Sequence, residues 1–236
     1  MPRLDRHISA HTGVNRRDVR LMLAQGRITV DGRRATDIGQ RIGAFSHITV
    51  DGQVTQANTP RYLMLNKPEG VVSATKDEEH TTVIDLLAQH WKHELHIAGR
   101  LDYNSTGLVL LTNDGQWSRK LSLPGSKLIK RYRVMTEKPI TPDHVAAFKK
   151  GMYFAYEDIN TRPAELKILS DFEAEVALVE GRYHQIKRMF GHFDNKVLSI
   201  HRFAVGNVEI GALGPGEHKE IAPGSVVQEI DQLTSR

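Results

Sequence analysis

The 236-residue sequence has no cysteine. That excludes disulfides, thiolate zinc sites, iron–sulfur clusters and every mechanism with a cysteine nucleophile. Long apolar runs are also missing: a stretch such as Leu108–Leu111 is far too short to cross a bilayer. The opening Met1-Pro2-Arg3-Leu4-Asp5 carries no apolar segment, so neither a secretory signal nor a membrane association is expected, and the cytoplasm is the default location. No G-x-x-x-x-G-K-[ST] or G-x-G-x-x-G occurs, so a nucleotide cofactor has no visible cradle. His90, His93 and His96 are three apart, but on a helix the first and last diverge by about 120°, and no metal site is expected there. With 39% hydrophobic and 25% charged residues, the composition is that of a globular chain.

Charge is distributed unevenly. Residues 1–52 hold nine Arg and five Asp, with no Lys or Glu, whereas residues 53–236 hold 23 basic and 23 acidic side chains. The whole formal excess of +4 therefore sits in the first fifth of the chain. An Arg-rich head on a neutral body reads either as a phosphate-binding appendage or as a solvated basic face. A second basic stretch runs acid-free from Gly115 to Thr136 and includes Arg119, Lys120, Lys127, Lys130, Arg131 and Arg133, with Tyr132 between two arginines. It reads as cations with an aromatic for stacking, or as a polar strand edge with a half-buried tyrosine.

Residues 3–52 form a compact unit by pattern. Leu4 and Ile8 suggest a short helix stopped at Gly13. Asn15 is the N-cap expected for a second helix, with Val19, Met22 and Leu23 at helical spacing, Gly26 at its end, and Arg16, Arg17 and Arg20 mostly on the polar side. Ile28-Thr29-Val30-Asp31-Gly32 recurs as Ile48-Thr49-Val50-Asp51-Gly52, two alternating strands each ending in an Asp-Gly turn. The pattern divides the chain into a unit over 1–54, a polar linker over 55–60 and a body over 61–236. In the body, strands are expected at Tyr62–Leu65, at Leu108–Leu111 with an Asn113-Asp114-Gly115 turn ending it, and at Ala164–Leu169 and Ala174–Val179. Helices are expected at Thr82–Leu87, after Thr141-Pro142-Asp143 and over Gln185–Phe193, with a capping box at Ser225–Gln228 opening a short last helix. The irregular alternation favours an α+β fold.

Two segments stand out chemically. Gly99–Gly107 is a polar loop feeding an apolar strand. Asp102 there either bonds nearby amides, as in an ordinary turn, or is a carboxylate held at a strand end near substrate. In Glu180–Phe190, if Ile186 faces the core, Lys187 lies about 100° and Arg188 about 200° from it. Lys187 is therefore the better placed of the two to hold a buried carboxylate ionised, unless both face solvent.

Gly99-Arg100-Leu101-Asp102 followed by Ser105–Gly115 resembles the signature of the pseudouridine synthases of ribosomal RNA. Asn66-Lys67-Pro68-Glu69-Gly70 resembles their first motif, Lys130–Val134 their tyrosine motif and Gly181–Met189 their late basic motif. Residues 3–52 resemble the alpha-L RNA-binding domain that precedes the synthase in one branch. The Gly-Arg-Tyr-His-Gln form of the late motif and Gln116-Trp117-Ser118 resemble the branch acting on the small subunit (16S).

This resemblance implies an α+β chain in which the small RNA-binding domain precedes a mixed, largely antiparallel-sheet catalytic domain. It implies an isomerase that needs no cofactor and acts on small-subunit ribosomal RNA, free or in an assembly intermediate, with a monomer as the default. Asp102 would attack ribose carbon 1 or take a proton from carbon 2. Lys187 would pair with it, and Tyr132 would stack on the detached uracil of a flipped nucleotide. Arg100 would fill the vacated space or grip a phosphate. Arg16, Arg17, Arg20, Arg131, Arg182 and Arg188 would hold RNA. The rivals are a synthase for large-subunit RNA, a non-catalytic ribosome-assembly factor, and a glycosidase using Asp102 and Asp114.

Overall fold

The computed structural model describes residues 1–122 and 128–226. Lys127 of the basic stretch, and Val227 and Gln228 of the expected capping box, lie outside them; Pro223–Ser225 form a single 3₁₀ turn. The chain divides into two compact units, Met1–Pro60 and Arg61–Arg236.

The first unit follows directly from its sequence pattern. Helix α1 spans Leu4–Thr12 and ends at Gly13 with φ of 73°. Helix α2 spans Arg16–Ala24, and the Asn15 side chain accepts from the amides of Arg17 and Asp18, satisfying donors that the helix start leaves open. The repeated pentapeptides become β1 (Ile28–Val30) and β3 (Ile48–Val50), paired antiparallel with Thr29 opposite Thr49. Their isoleucines and valines point into a core with Leu4, Ile8, Val19, Met22 and Leu23, while the two threonine hydroxyls meet at 2.6 Å on the other face. Each strand turns back through Asp-Gly, to β2 (Arg33–Arg34) and to β4 (Gln53–Gln56). Asp31, Gly32, Asp51 and Gly52 all have positive φ, the conformation that a two-residue hairpin loop requires. Part of the expected linker is thus strand. Gln56 also donates to the carbonyls of Gly43 and Ser46, which ties it into this unit.

The second unit is built on a nine-stranded sheet. Its strands are β5 (Tyr62–Lys67), β6 (His96–Ala98), β7 (Thr106–Thr112), β8 (Lys130–Thr136), β11 (Glu165–Ser170), β12 (Glu173–Leu178), β13 (Val197–Val205), β14 (Val208–Glu209) and β15 (His218–Glu220). A separate two-stranded pair, β9 (Tyr153–Phe154) and β10 (Ile159–Asn160), lies between in sequence. The main path runs β11-β12-β8-β13-β7-β5-β15, with β6 on β7 and β14 on β13. Among the described strands of this sheet, β7 and β13 pair in parallel and the other pairings are antiparallel.

Both faces of the central strands are covered. Leu63, Leu65, Val109 and Leu111 join one core with Phe148 of α4 (Pro142–Lys150) and Met189 and Phe190 of α5 (Gln185–Gly191). Met64, Leu108 and Leu110 join another with Trp117 of α3 (Gly115–Ser122). This is why Leu108–Leu111 is continuously apolar rather than alternating. Among the described residues, no helix is long and apolar enough to cross a membrane.

Three expectations need correction. Thr82–Leu87 is a turn, not a helix: Asp85 and Leu87 donate to the carbonyls three residues back, and a stretch this short cannot propagate a helix. Asn113-Asp114-Gly115 is a helix start rather than a simple turn, because Asp114 Oδ1 accepts from the amides of Gln116 and Trp117. The basic strand β8 is not an edge, since it lies between β12 and β13.

Candidate active site

Asp102 sits in the loop joining β6 to β7, and the backbone around it is anchored at almost every step. Ser73 Oγ donates to the Leu101 carbonyl at 2.8 Å and accepts from its amide at 3.0 Å. The Lys67 ammonium, with no exposed surface, donates to the carbonyls of Tyr103 at 3.1 Å, Ser105 at 2.7 Å and Pro68 at 2.9 Å. Burial lowers the Lys67 pKa to about 8, a shift opposed by the charges of Asp102 and Glu69.

From the other side Arg202 of β13, also buried, donates through Nη2 to Gly99 at 3.0 Å, through Nη1 to Arg100 at 3.3 Å and through Nε to Leu108 at 2.7 Å, all carbonyl oxygens. Two buried cations therefore grip the loop on either side of Asp102. Gly107 makes this close approach feasible: its φ is 105°, and a Cβ there would lie 2.2 Å from the Arg202 carbonyl oxygen.

The Asp102 carboxylate itself stays about one-third exposed. Two side-chain nitrogens approach the same oxygen, Oδ2: the Lys187 ammonium Nζ at 3.9 Å and His184 Nε2 at 3.5 Å. Both come from the start of α5, where Gln185 is buried, accepts from the Arg182 amide and donates to Glu180. Asp102, Arg100, Tyr132, Arg182 and His184 line one small cleft. Tyr132 is only 7% exposed, so most of its ring belongs to the core and the remainder borders the cleft. A wider groove of about 820 Å³ also takes Ser105 and Ile200 in its wall and adds Lys187, Lys138 and Lys196.

Apart from Arg182 at the cleft, the remaining sequence-derived residues lie elsewhere. On β8, alternation sends Arg131 to the face opposite Tyr132, where it is 3.7 Å from Glu209. Arg188 is clasped by Glu157 through two bonds of 2.6 Å and lies over the Phe154 ring. Arg182 Nε is held by Glu180 at 3.1 Å. Arg16, Arg17 and Arg20 are exposed on α2 of the first unit. Asp114 caps α3 and accepts from the Tyr62 hydroxyl at 2.9 Å, which together with burial pushes that tyrosine up to about 12. A carboxylate spent in this way is not available as the second acid of a glycosidase.

Sequence reasoning did not single out His184, Ser73 or Arg202. His184 lay within a quoted motif. Arg202 left no local signal beyond a lone arginine in an apolar strand. Among the described residues no three or more His, Cys, Asp or Glu converge as a metal site.

Residues 61–192 match the family model described as RNA pseudouridylate synthase. The chain is 50% identical over 207 residues to the ribosomal small subunit pseudouridine synthase A of Pseudomonas aeruginosa, covering 87% of this chain and 90% of that protein. It is 38% identical over 221 residues to the enzyme of the same name from Escherichia coli, covering 93% and 96%. A crystal structure of a pseudouridylate synthase, 33% identical, superposes with a TM-score of 0.69 over 96% of this chain and 98% of the other.

Proposed function

The chain belongs to the RNA pseudouridylate synthase family, and on that premise we propose that it converts a uridine of small-subunit ribosomal RNA to pseudouridine with Asp102 as the catalytic carboxylate. The reaction breaks the bond between ribose carbon 1 and uracil nitrogen 1 and makes one from the same carbon to uracil carbon 5. The hydrogen on carbon 5 leaves as a proton and nitrogen 1 gains one, so the product is an isomer and no redox partner or group donor is needed.

The observation that carries this reading is the Asp102 loop itself. A partly exposed carboxylate faces a cleft, its neighbours' carbonyls are held by Lys67 and Arg202, and its Oδ2 faces Lys187 and His184. With Oδ2 turned toward Lys187 and His184, Oδ1 is the oxygen that approaches the sugar, as nucleophile at carbon 1 or as base at carbon 2. A uridine within a helix cannot reach this loop, so it enters flipped. Tyr132 borders the uracil, and Arg100, exposed at the rim, fills the gap in the stack or holds a phosphate. The adjoining groove with Lys187, Lys138 and Lys196 suits the RNA backbone.

The first unit, with Arg16, Arg17 and Arg20 exposed, acts as an RNA-gripping head that adds affinity more than sequence choice. Arg182 joins the grip because it lines the cleft, although Glu180 holds its Nε; Arg131 and Arg188, paired with Glu209 and Glu157 away from the cleft, contribute less. The protein works as a monomer in the compartment that holds ribosomal RNA, the cytoplasm.

The test is incubation with transcribed small-subunit RNA, followed by carbodiimide mapping. One uridine should become pseudouridine, and Asp102→Asn should abolish this while binding the transcript as well as the parent. Substantial turnover by Asp102→Asn removes the carboxylate from its role. Modification of a large-subunit transcript alone overturns the assigned substrate.

A further inference from the structure

We propose that Tyr183, backed by His184, is a stacking platform for a nucleobase adjacent to the one that enters the Asp102 cleft. The proposal rests on the reading of Asp102 as the catalytic carboxylate, and its test separates the two.

The observation is an aromatic ring in an unusual place. Tyr183 is 74% exposed, although an aromatic side chain ordinarily gains by burial. It is not an isolated surface residue. Its ring stacks on the His184 imidazole with centroids 3.8 Å apart and an interplanar angle of 22°. The imidazole covers one face of the tyrosine, and the exposed area leaves the other open. The same imidazole reaches toward Asp102 Oδ2 at 3.5 Å. A layered arrangement therefore starts at the carboxylate, passes through His184 and ends on a bare tyrosine face.

The backbone is set to produce it. His184 has φ of 49° and ψ of 30°, the left-handed conformation that is costly for any residue with a Cβ. This residue turns the chain from the end of β12 into α5, so that consecutive side chains lie ring against ring. The conformation is held on both sides. The His184 carbonyl accepts from the Arg188 amide at 2.9 Å, and Gln185 ties the Arg182 amide to Glu180. An unfavourable conformation held this firmly beside a catalytic loop is consistent with use rather than accident.

The chemistry of the ligand follows. Flipping one nucleotide leaves its neighbours without a stacking partner on that side. A flat, open aromatic face beside the cleft replaces the lost partner. Every base has a π-face, so such a platform adds affinity without choosing a sequence. Arg182, adjacent in sequence and exposed, is paired through Nε with Glu180 at 3.1 Å, so the platform's contribution is the ring face rather than an added charge.

The experiment uses the full chain and a transcribed small-subunit RNA under single-turnover conditions. Tyr183→Ala should raise the half-saturating RNA concentration about tenfold, as expected for one lost stacking contact. The rate constant at saturation should stay within about twofold of the parent, and Tyr183→Phe, which keeps the ring, should match the parent in both. An unchanged half-saturation in Tyr183→Ala overturns the proposal. So does a loss confined to the saturated rate, or a Tyr183→Phe as weak as the alanine variant. Tyr183→Trp in an Asp102→Asn background adds a direct readout: its extra indole fluorescence should be quenched by the transcript, and no quenching overturns the platform. Failure of the underlying reading looks different, since it shows as turnover by Asp102→Asn with Tyr183 intact.

Discussion

The Lys67 ammonium donates to the Ser105 carbonyl at 2.7 Å, three residues beyond Asp102, from a position with no access to solvent. A buried ammonium is held by three backbone carbonyls instead of a carboxylate. Charge-assisted bonds of this kind make the loop stiff at the expense of desolvating the lysine. Stability is given up to hold the loop that carries Asp102.

That arrangement has a pH signature. The folded Lys67 titrates at about 8, against 10.5 when freely solvated. Between these values the unfolded chain binds a proton that the folded chain lacks. The lysine's contribution to stability therefore rises with pH across this window, by at most about 1.4 kcal/mol per pH unit, and is lowest below pH 8. Urea unfolding of wild type and Lys67→Met from pH 7 to 10 should show the wild type gaining relative to the variant above pH 8. Parallel curves would show that Lys67 does not titrate in this way.

Arg202 is the second support of the loop. Arg202→Met leaves the carbonyls of Gly99, Arg100 and Leu108 without their donors. We expect a loss of about 3 kcal/mol in stability. We also expect a fall of about a hundredfold in the rate at saturating RNA, since displacing a reacting group by about 1 Å has that effect. Arg202→Lys keeps the charge and should recover most of the stability but less of the rate. Thermal melting and single-turnover kinetics, read side by side, check both. A variant that loses stability with full activity would make Arg202 a purely structural residue.

The exposed arginines of α2 make a different prediction. Replacing Arg16, Arg17 and Arg20 together by alanine removes up to three phosphate contacts. The slope of log affinity against log salt should then become shallower by about 2 to 3. Turnover at saturating RNA should hold. Filter binding of the transcript across a salt series reads the slope, and an unchanged slope would mean that this helix does not meet RNA.

Much of the first unit was legible because its signals are local. Asn15 caps the helix that begins one residue later, and two Asp-Gly pairs close the two hairpins. Capping and turn chemistry act within four residues, so the sequence displays them whole. In the second unit, strands β5 and β7 were visible as apolar runs, and the Asp102 motif was recognisable by resemblance. The failures are also physical. Asp114 reads as a turn residue until Gln116 and Trp117 turn their amides to it. Thr82–Leu87 carries a capping signal and apolar spacing, but the chain leaves the turn before a helix can propagate. Arg188 reads as a free cation until Glu157, 31 residues away in sequence, meets it.

From the residues alone came the α+β class and the basic head, and from the resemblance of a contiguous motif came the attention to Asp102, because each depends on composition or on a contiguous stretch. Tertiary structure alone decided what aims that carboxylate. Arg202 lies a hundred positions downstream and reaches the loop only because β13 pairs in parallel with β7. Lys67 is buried where the carbonyls of Pro68, Tyr103 and Ser105 converge on it, and the rings of Tyr183 and His184 stack beside a left-handed His184 backbone. Hydrogen bonds between distant segments and the removal of water from a charge are properties of packing, and no local pattern encodes them.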